Sequence, residues 1–323
     1  MKNYIPEINY APEWKNTWAN PVVTDTATKT WEVLDTVELK MQSRNLDYAE
    51  VGADLVNQLR EYVEKSGVNS MVMWVSGWVD SGLVSTLAAK TGLPLTVIEM
   101  PIHQAKDQVD NAQEHIAWLI ENFPNVAAVR VDLTETFEKM KAALPEIENE
   151  EVVRYMAYVN TRSRLRGNVL YAVANEKNGI VLGTGNRVED YGIWFFTKFG
   201  DGAVDLSPIG NLYKSEVRAL ARELWVPENI SEAVATDGLH NSWATDEDQI
   251  GCSYDELEWA MVEVDEYKNF TAESYISWKS PDTIESFIAQ YTGREKDVLE
   301  IYLKRHLENA HKMEMPPVFE LKI

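Results

Sequence analysis

Ser70-Met71-Val72-Met73-Trp74-Val75-Ser76-Gly77-Trp78-Val79-Asp80-Ser81 begins as an apolar run and ends in a polar turn that leads straight into helical sequence. Met71 to Val75 is too short for a helix face or a membrane span and reads as a buried strand. Gly77, set among short side chains, marks a strand-to-helix turn where backbone N–H groups and hydroxyls can surround a phosphate at the positive end of a helix. Asp80 adds a carboxylate, which phosphate repels unless magnesium lies between them. An ordinary turn with Asp80 and Ser81 as helix caps fits the same residues. There is no Gly-Lys-Ser/Thr ending, so this is not a Walker loop.

Outward from this turn, the pattern alternates. A helix from about Asp47 to Lys65 carries Ala49, Leu55, Leu59 and Val63 at helical spacing. After the Ser70–Val75 strand come helix Leu83–Lys90, strand Leu95–Glu99, helix Val109–Glu121, strand Val126–Val131 and helix Leu133–Ala143. A long helix from Glu150 to Lys177 then precedes strand Gly179–Leu182. Alternating β and α segments predict an α/β fold, a doubly wound, mostly parallel sheet with helices on both faces. Ligands in such sheets gather at the carboxyl ends of the strands. Extra helices follow at Val217–Leu224, Tyr254–Val264, Ile284–Gln290 and Asp297–Glu308, whereas 235–248 lacks periodicity and reads as a lid. Residues 1–30, with Pro6, Pro12 and Pro21, read as an extended arm, and 31–323 as one main domain.

Composition narrows the function. The 323 residues carry a net charge of -22 with no single acidic tail, which argues against nucleic acid or an acidic membrane as partner. Cys252 is the only cysteine, so neither an intrachain disulfide nor a cysteine metal cluster can form. Met1 to Glu7 lacks the apolar segment of a signal peptide, and a cytoplasmic location is expected.

Two further stretches carry chemistry. Gly183-Thr184-Gly185-Asn186-Arg187-Val188-Glu189 follows the last strand, so in a parallel sheet it falls at the same edge as Asp80, where Glu189 could share a metal with it. Capping by Asn186 and Glu189 is the plainer alternative. Phe195-Phe196-Thr197-Lys198-Phe199-Gly200-Asp201-Gly202-Ala203-Val204-Asp205, running on to Lys214, mixes aromatic, cationic and acidic residues in a glycine-bearing loop of the kind that more often serves function than connection.

Ser76–Ser81 resembles the Ser-Gly-Gly-x-Asp-Ser pyrophosphatase loop of N-type ATP-using amide synthetases. With Gly-Thr-Gly-Asn-x-x-Glu, Phe-Thr-Lys-Phe-Gly-Asp-Gly, the Asp246–Tyr254 run and His311-Lys312, the set resembles the ammonia-dependent NAD synthetases from about residue 45 to 319. The resemblance implies ATP as co-substrate, held by Ser76, Gly77, position 78, Ser81, Arg162, Thr184, Lys214 and Thr236, with Asp80 and Glu189 on Mg2+. It implies a nicotinate adenine dinucleotide pocket of Arg164, Phe196, Lys198, Asp201, Asp205, His311 and Lys312. Lys198, Asp201 and Lys214 would be catalytic, Asp201 by binding ammonium and accepting its proton. Arg162 and Arg164 resemble a pair facing the phosphates, a task suited to the planar guanidinium. Free ammonia is the implied nitrogen source, because no cysteine nucleophile precedes Ser76. The product is NAD, with release of AMP and pyrophosphate. Another N-type ligase, acting for example on nicotinate mononucleotide, and a silent nucleotide-binding homologue are the alternatives.

A homodimer is expected, because Val152, Tyr155, Met156, Val159 and Leu170 give the long helix more apolar surface than one sheet face needs. The chain departs from the family pattern at Trp74, Trp78, Trp194 and Trp225, where glycine is expected. At 78 a tryptophan would crowd the phosphate and force a disfavoured φ. Either the gene uses a code in which a stop codon means glycine and was read as tryptophan at all four, or the tryptophans are genuine and the site is altered or dead. Trp118 and Trp259 read as core.

Overall fold

Four parallel strands lie in the order β3-β2-β1-β4: β1 Ser70–Trp74, β2 Leu95–Glu99, β3 Val126–Arg130 and β4 Gly179–Val181. The computed structural model describes residues 44–104, 106–145, 151–233, 246–270 and 281–312, with 314, 316, 318, 319 and 321 beyond them. The arm at 1–30, Thr236 and most of the lid at 235–248 lie outside the described residues.

The helices between the strands are α1 Tyr48–Ser66, α2 Val79–Lys90, α3 Lys106–Asn122, α4 Thr134–Ala143 and α5 Glu151–Lys177. After β4 come a widened helical turn at Arg187–Gly192, α6 Lys214–Glu223, α7 Glu228–Ser231, α8 Asp246–Ile250, α9 Tyr254–Phe270, α10 Pro281–Ile288 and α11 Gly293–Asn309, which runs on into a short turn at Ala310–Lys312. Every predicted strand is present within a residue or so. α2 starts four residues earlier than its apolar spacing suggests, because Gly77 at φ 89 lets the chain turn at once and leaves Trp78 as the N-cap.

β2 is buried at every position and β1 at all but its last, so neither strand shows the alternation of a sheet with one wet face, and Ser70, Thr96 and Glu99 are buried with their apolar neighbours. Met71 and Met73 face a core built with Leu59, Leu83, Leu87 and Leu220, whereas Val72 packs with Ile98, Phe137 and Leu170 on the other face. A third cluster, around Trp259, Tyr254 and Tyr302, joins α9 to α11 and braces the widened turn through Val188 and Ile193. Trp259 is core, and Trp118 packs against the first cluster while stacking on His115. Among the described residues no helix is long and apolar enough to cross a membrane. Val159 and Leu170 are buried within the chain, so they do not contribute the free apolar surface that the long helix was expected to offer a partner.

Candidate functional site

The carboxyl ends of β1 and β4 lie side by side, and the loops leaving them meet. Ser81 Oγ accepts from the Ser76 amide at 3.2 Å and lies 3.0 Å from Ser76 Oγ, while donating to the Trp78 carbonyl at 3.0 Å, which ties the loop onto the first turn of α2. From the other strand, Asn186 caps the widened turn by accepting from the Val188 and Glu189 amides, and its Nδ2 donates to Asp80 Oδ1 at 2.9 Å. The capping role foreseen for Asn186 is therefore present, and it also joins the two loops. Turns of this wide type recur at functional sites.

Lys214, the first residue of α6, inserts between the two carboxylates. Its Nζ donates to Asp80 Oδ2 at 2.5 Å and to Glu189 Oε1 at 2.8 Å and is 1% exposed. Tyr254 Oη donates to the same Glu189 oxygen at 2.6 Å. Burial raises the Asp80 carboxyl against the pull of Lys214. The same burial acts on Glu189, but Lys214, Tyr254 and Asn186 outweigh it and hold that carboxyl below its usual range. Burial disfavours the Lys214 ammonium too, yet the two carboxylates more than compensate and keep it charged. Among the described residues no group of three or more His, Cys, Asp or Glu converges on one metal position. The residues nevertheless fit magnesium in part: the ammonium stands where a cation between both carboxylates would lie, and magnesium commonly takes one or two carboxylates and completes its shell with phosphate and water.

A second centre lies along the Phe195–Asp205 loop. A cavity of about 400 Å³ is lined by Phe196, Asp205, Asp190 and Ser207, among others. Asp201 Oδ1 accepts from Ser163 Oγ at 2.6 Å and from the Thr197 amide at 2.9 Å, and so closes the loop on itself. Asp205 is held by Tyr171 Oη at 3.1 Å and the Val181 amide at 2.8 Å. Lys198 Nζ donates to the His311 carbonyl at 2.6 Å, and Lys312 Nζ to the Trp194 and Phe196 carbonyls at 2.7 and 2.8 Å, so the end of the chain is drawn over the loop. Burial brings Lys312 down to about 8.

Most of the predicted residues thus fall into two adjoining groups. Ser76, Gly77, Ser81, Asp80, Glu189 and Lys214 surround the β1–β4 edge, with Thr184 in the loop between β4 and the widened turn. Phe196, Lys198, Asp201, Asp205, His311 and Lys312 surround the loop. Arg162 and Arg164 point in different directions from α5. Arg162 lies over the Phe137 ring and Arg164 Nε donates to the Lys198 carbonyl, because residues two apart on a helix point different ways. Arg166, one turn beyond Arg162, is the residue that shares its face. Trp78 has φ -112 and ψ 163, ordinary extended backbone, so the expected strain at 78 is absent. Positive φ falls instead on Trp194 at 56 and Trp225 at 62.

Sequence reasoning missed Tyr254, Asp190 and Glu258. Tyr254 stood in a recognised run, but only the tertiary contact reveals its hold on Glu189. Asp190 lies against Gly185, where an added Cβ would come within 1.7 Å of its Oδ2, and burial with Asp201, Glu189 and Asp80 nearby pushes its carboxyl well up. Glu258 accepts from the Ser215 amide at 2.9 Å and its hydroxyl at 2.7 Å, next to Lys214, and burial raises it to about 7.

A model of the NAD synthase family matches residues 51–316. The ammonia-dependent NAD synthetase of Aeropyrum pernix is 34% identical over 274 residues, covering 84% of this chain and 89% of its own. That of Methanosarcina mazei is 33% identical over 273 residues, covering 83% and 96%. Among solved structures, an NMN synthetase from Francisella tularensis is similar with a TM-score of 0.68 at 27% identity, covering 85% of this chain and all of that one.

Proposed function

Since this chain belongs to the NAD synthase family, a family of ligases that form C–N bonds, we propose that it converts nicotinate adenine dinucleotide, ATP and ammonia into NAD, AMP and pyrophosphate. The observation that carries this reading is the meeting of Ser76–Ser81, Glu189 and Lys214 at one sheet edge, with the Lys214 ammonium held between Asp80 and Glu189. A nicotinate carboxylate is a weak nucleophile, so the site must act mainly by placing it in line with the α-phosphorus of ATP and by stabilising charge.

The turn at Ser76, Gly77 and Ser81 receives the outer phosphates at the N-terminus of α2. Lys214 follows the phosphate charge as pyrophosphate departs. Asp80 and Glu189 are the residues that would hold magnesium, which supplies charge neutralisation at the phosphates. The carboxylate attacks the α-phosphorus, the bond to the bridging oxygen breaks, and an acyl-adenylate remains in the Phe196 cavity. Asp201 uses Oδ1 to close its loop, which leaves Oδ2 to bind ammonium and accept a proton. Ammonia then attacks the carbonyl and AMP leaves. Arg164, Lys198 and Lys312 flank this path and provide positive charge for the substrate's phosphates, with His311 beside them as a hydrogen-bonding group.

The active unit is proposed to be a homodimer in the cytoplasm, with α5 contributing to its seam. Sedimentation at micromolar concentration checks the mass; a monomer removes this part of the reading. For the reaction itself, products are separated by chromatography after incubation with all substrates. NAD, AMP and pyrophosphate in equal amounts are expected, and ADP with phosphate would reject adenylation. The likeness to an NMN synthetase favours nicotinate mononucleotide as a second substrate. Comparison of kcat/KM for the mono- and dinucleotide acids separates the two readings.

A further inference from the structure

Beside the phosphate loop, between the carboxyl ends of β1 and β2, lies a slot lined by Trp74, Ser76, Glu99, Met100, Pro101 and Gln104. It adjoins the loop at Ser76, whereas Asp80, Asn186 and Lys214 fill the β4 side of the same loop. The slot has a volume of about 10 Å³. A void of roughly that size holds one water, and small-molecule sites usually run to about 300–1,000 Å³.

Trp74 borders it. As the last residue of β1 it pairs with Ile98, so its side chain stands at the rim of the sheet. The Arg166 guanidinium lies 4.5 Å from the centre of its ring. Arg166 is itself buried and fixed, with Nε donating to the Met100 carbonyl at 3.0 Å and a terminal nitrogen to Gln104 Oε1 at 3.0 Å. The indole is therefore pinned between the sheet and a guanidinium that has no freedom to withdraw, and a desolvated cation–π contact of this kind is among the stronger ones.

We propose that Trp74 determines nucleotide access: its indole, clamped by Arg166, occupies the slot for the purine base, and the base enters only when the indole leaves. This rests on the reading of Ser76–Ser81 as a phosphate site. The consequence is selective. Binding through phosphates alone is untouched by the indole, whereas a nucleoside triphosphate binds only to the fraction of molecules in which the slot is open.

The test is calorimetric titration of the wild-type chain, Trp74→Gly and Trp74→Ala with two ligands in the presence of magnesium: ATP, and inorganic tripolyphosphate, which has the phosphates without the base. The alanine variant serves if glycine at the strand end prevents folding. Opening the slot should tighten ATP by about tenfold or more while tripolyphosphate stays within about twofold. Tripolyphosphate binding with unchanged or weaker ATP binding in the variants would overturn the gate and leave the phosphate site standing. Equal tightening of both ligands would also overturn it, because Trp74 would then act on the loop. Absence of binding by either ligand to any of the three proteins would reject the phosphate site and the gate together.

Discussion

Around Lys214, four separate stretches bring in Asp80, Asn186 with Glu189, Lys214 and Tyr254, and each side chain meets a complementary group. At 74, 78, 194 and 225 a single residue type meets four different settings. Trp74 is clamped under Arg166, and Trp78 caps α2 in ordinary extended backbone. Trp194 is strained at φ 56 yet donates from Nε1 to the His306 carbonyl at 2.7 Å and stacks on the His306 ring. Trp225 is strained at φ 62 and is 83% exposed. The charged centre is a cooperative unit in which removing any member strands the others. The tryptophans are independent, and the sign of each replacement follows from its own surroundings.

The comparison breaks first at the charged centre. Asp80→Ala or Glu189→Ala should each lower kcat/KM by about a hundredfold or more, because each leaves Lys214 half-paired in a buried site and removes a carboxylate proposed to hold magnesium. If the two act as one unit, the double variant should cost little more than the worse single one. Two losses that simply add would make them independent, like the tryptophans.

Glu258 gives a smaller effect on the same side. It is a buried carboxyl near Lys214 whose described partners, the Ser215 amide and hydroxyl, are neutral. Its carboxyl rises from 4.5 to about 7 on folding. Because the folded value is the higher, its contribution is fully present below pH about 4.5 and is lost as pH rises to about 7, by up to roughly 3 kcal/mol. Melting curves between those limits should show wild-type stability falling relative to Glu258→Gln. Parallel curves would mean that Glu258 does not titrate in this range.

The tryptophans give the smallest effects, of opposite sign. Trp225→Gly relieves a left-handed side chain at a cost of about 1–2 kcal/mol, loses almost no burial, and gives back up to about 1 kcal/mol in chain entropy. A net gain of about 0.5–1 kcal/mol is expected. Trp194→Gly relieves the same strain but forfeits a hydrogen bond and a large half-buried ring stacked on His306, together about 2–4 kcal/mol, so it should destabilise by about 1–2 kcal/mol. Denaturant titration measures both. Changes of the same sign would show that φ alone governs these positions. The backbone at 194 and 225 suits glycine and that at 78 does not require it, so peptide masses of the protein from its own host would separate recoding from genuine tryptophan site by site.

Much of the charged centre was legible because topology forces it. Once β1 and β4 are parallel neighbours, the turn at Ser76–Ser81 and the loop at Gly183–Glu189 must share an edge, and short polar motifs announce themselves by residue type. Tyr254 and Glu258 were not legible, because they reach the centre from α9 by packing of the Trp259 cluster, which no local pattern encodes. Arg166 was not legible as a partner of Trp74, because it reaches the sheet edge from α5, and its contacts with the Trp74 ring and the Met100 carbonyl are set by packing rather than by any local pattern. The strain foreseen at Trp78 lay elsewhere: Gly77 alone takes the left-handed turn, and its neighbour is spared.

The central claim is that the substrate's own carboxylate attacks ATP at the α-phosphorus. It is tested most directly by incubating the chain with nicotinate adenine dinucleotide labelled with 18O in the carboxylate, together with ATP, magnesium and ammonia, and analysing the products by mass spectrometry. The account predicts that each AMP formed carries one labelled oxygen and that the pyrophosphate carries none. Label in inorganic phosphate beside ADP, or NAD formed with unlabelled AMP, would contradict it.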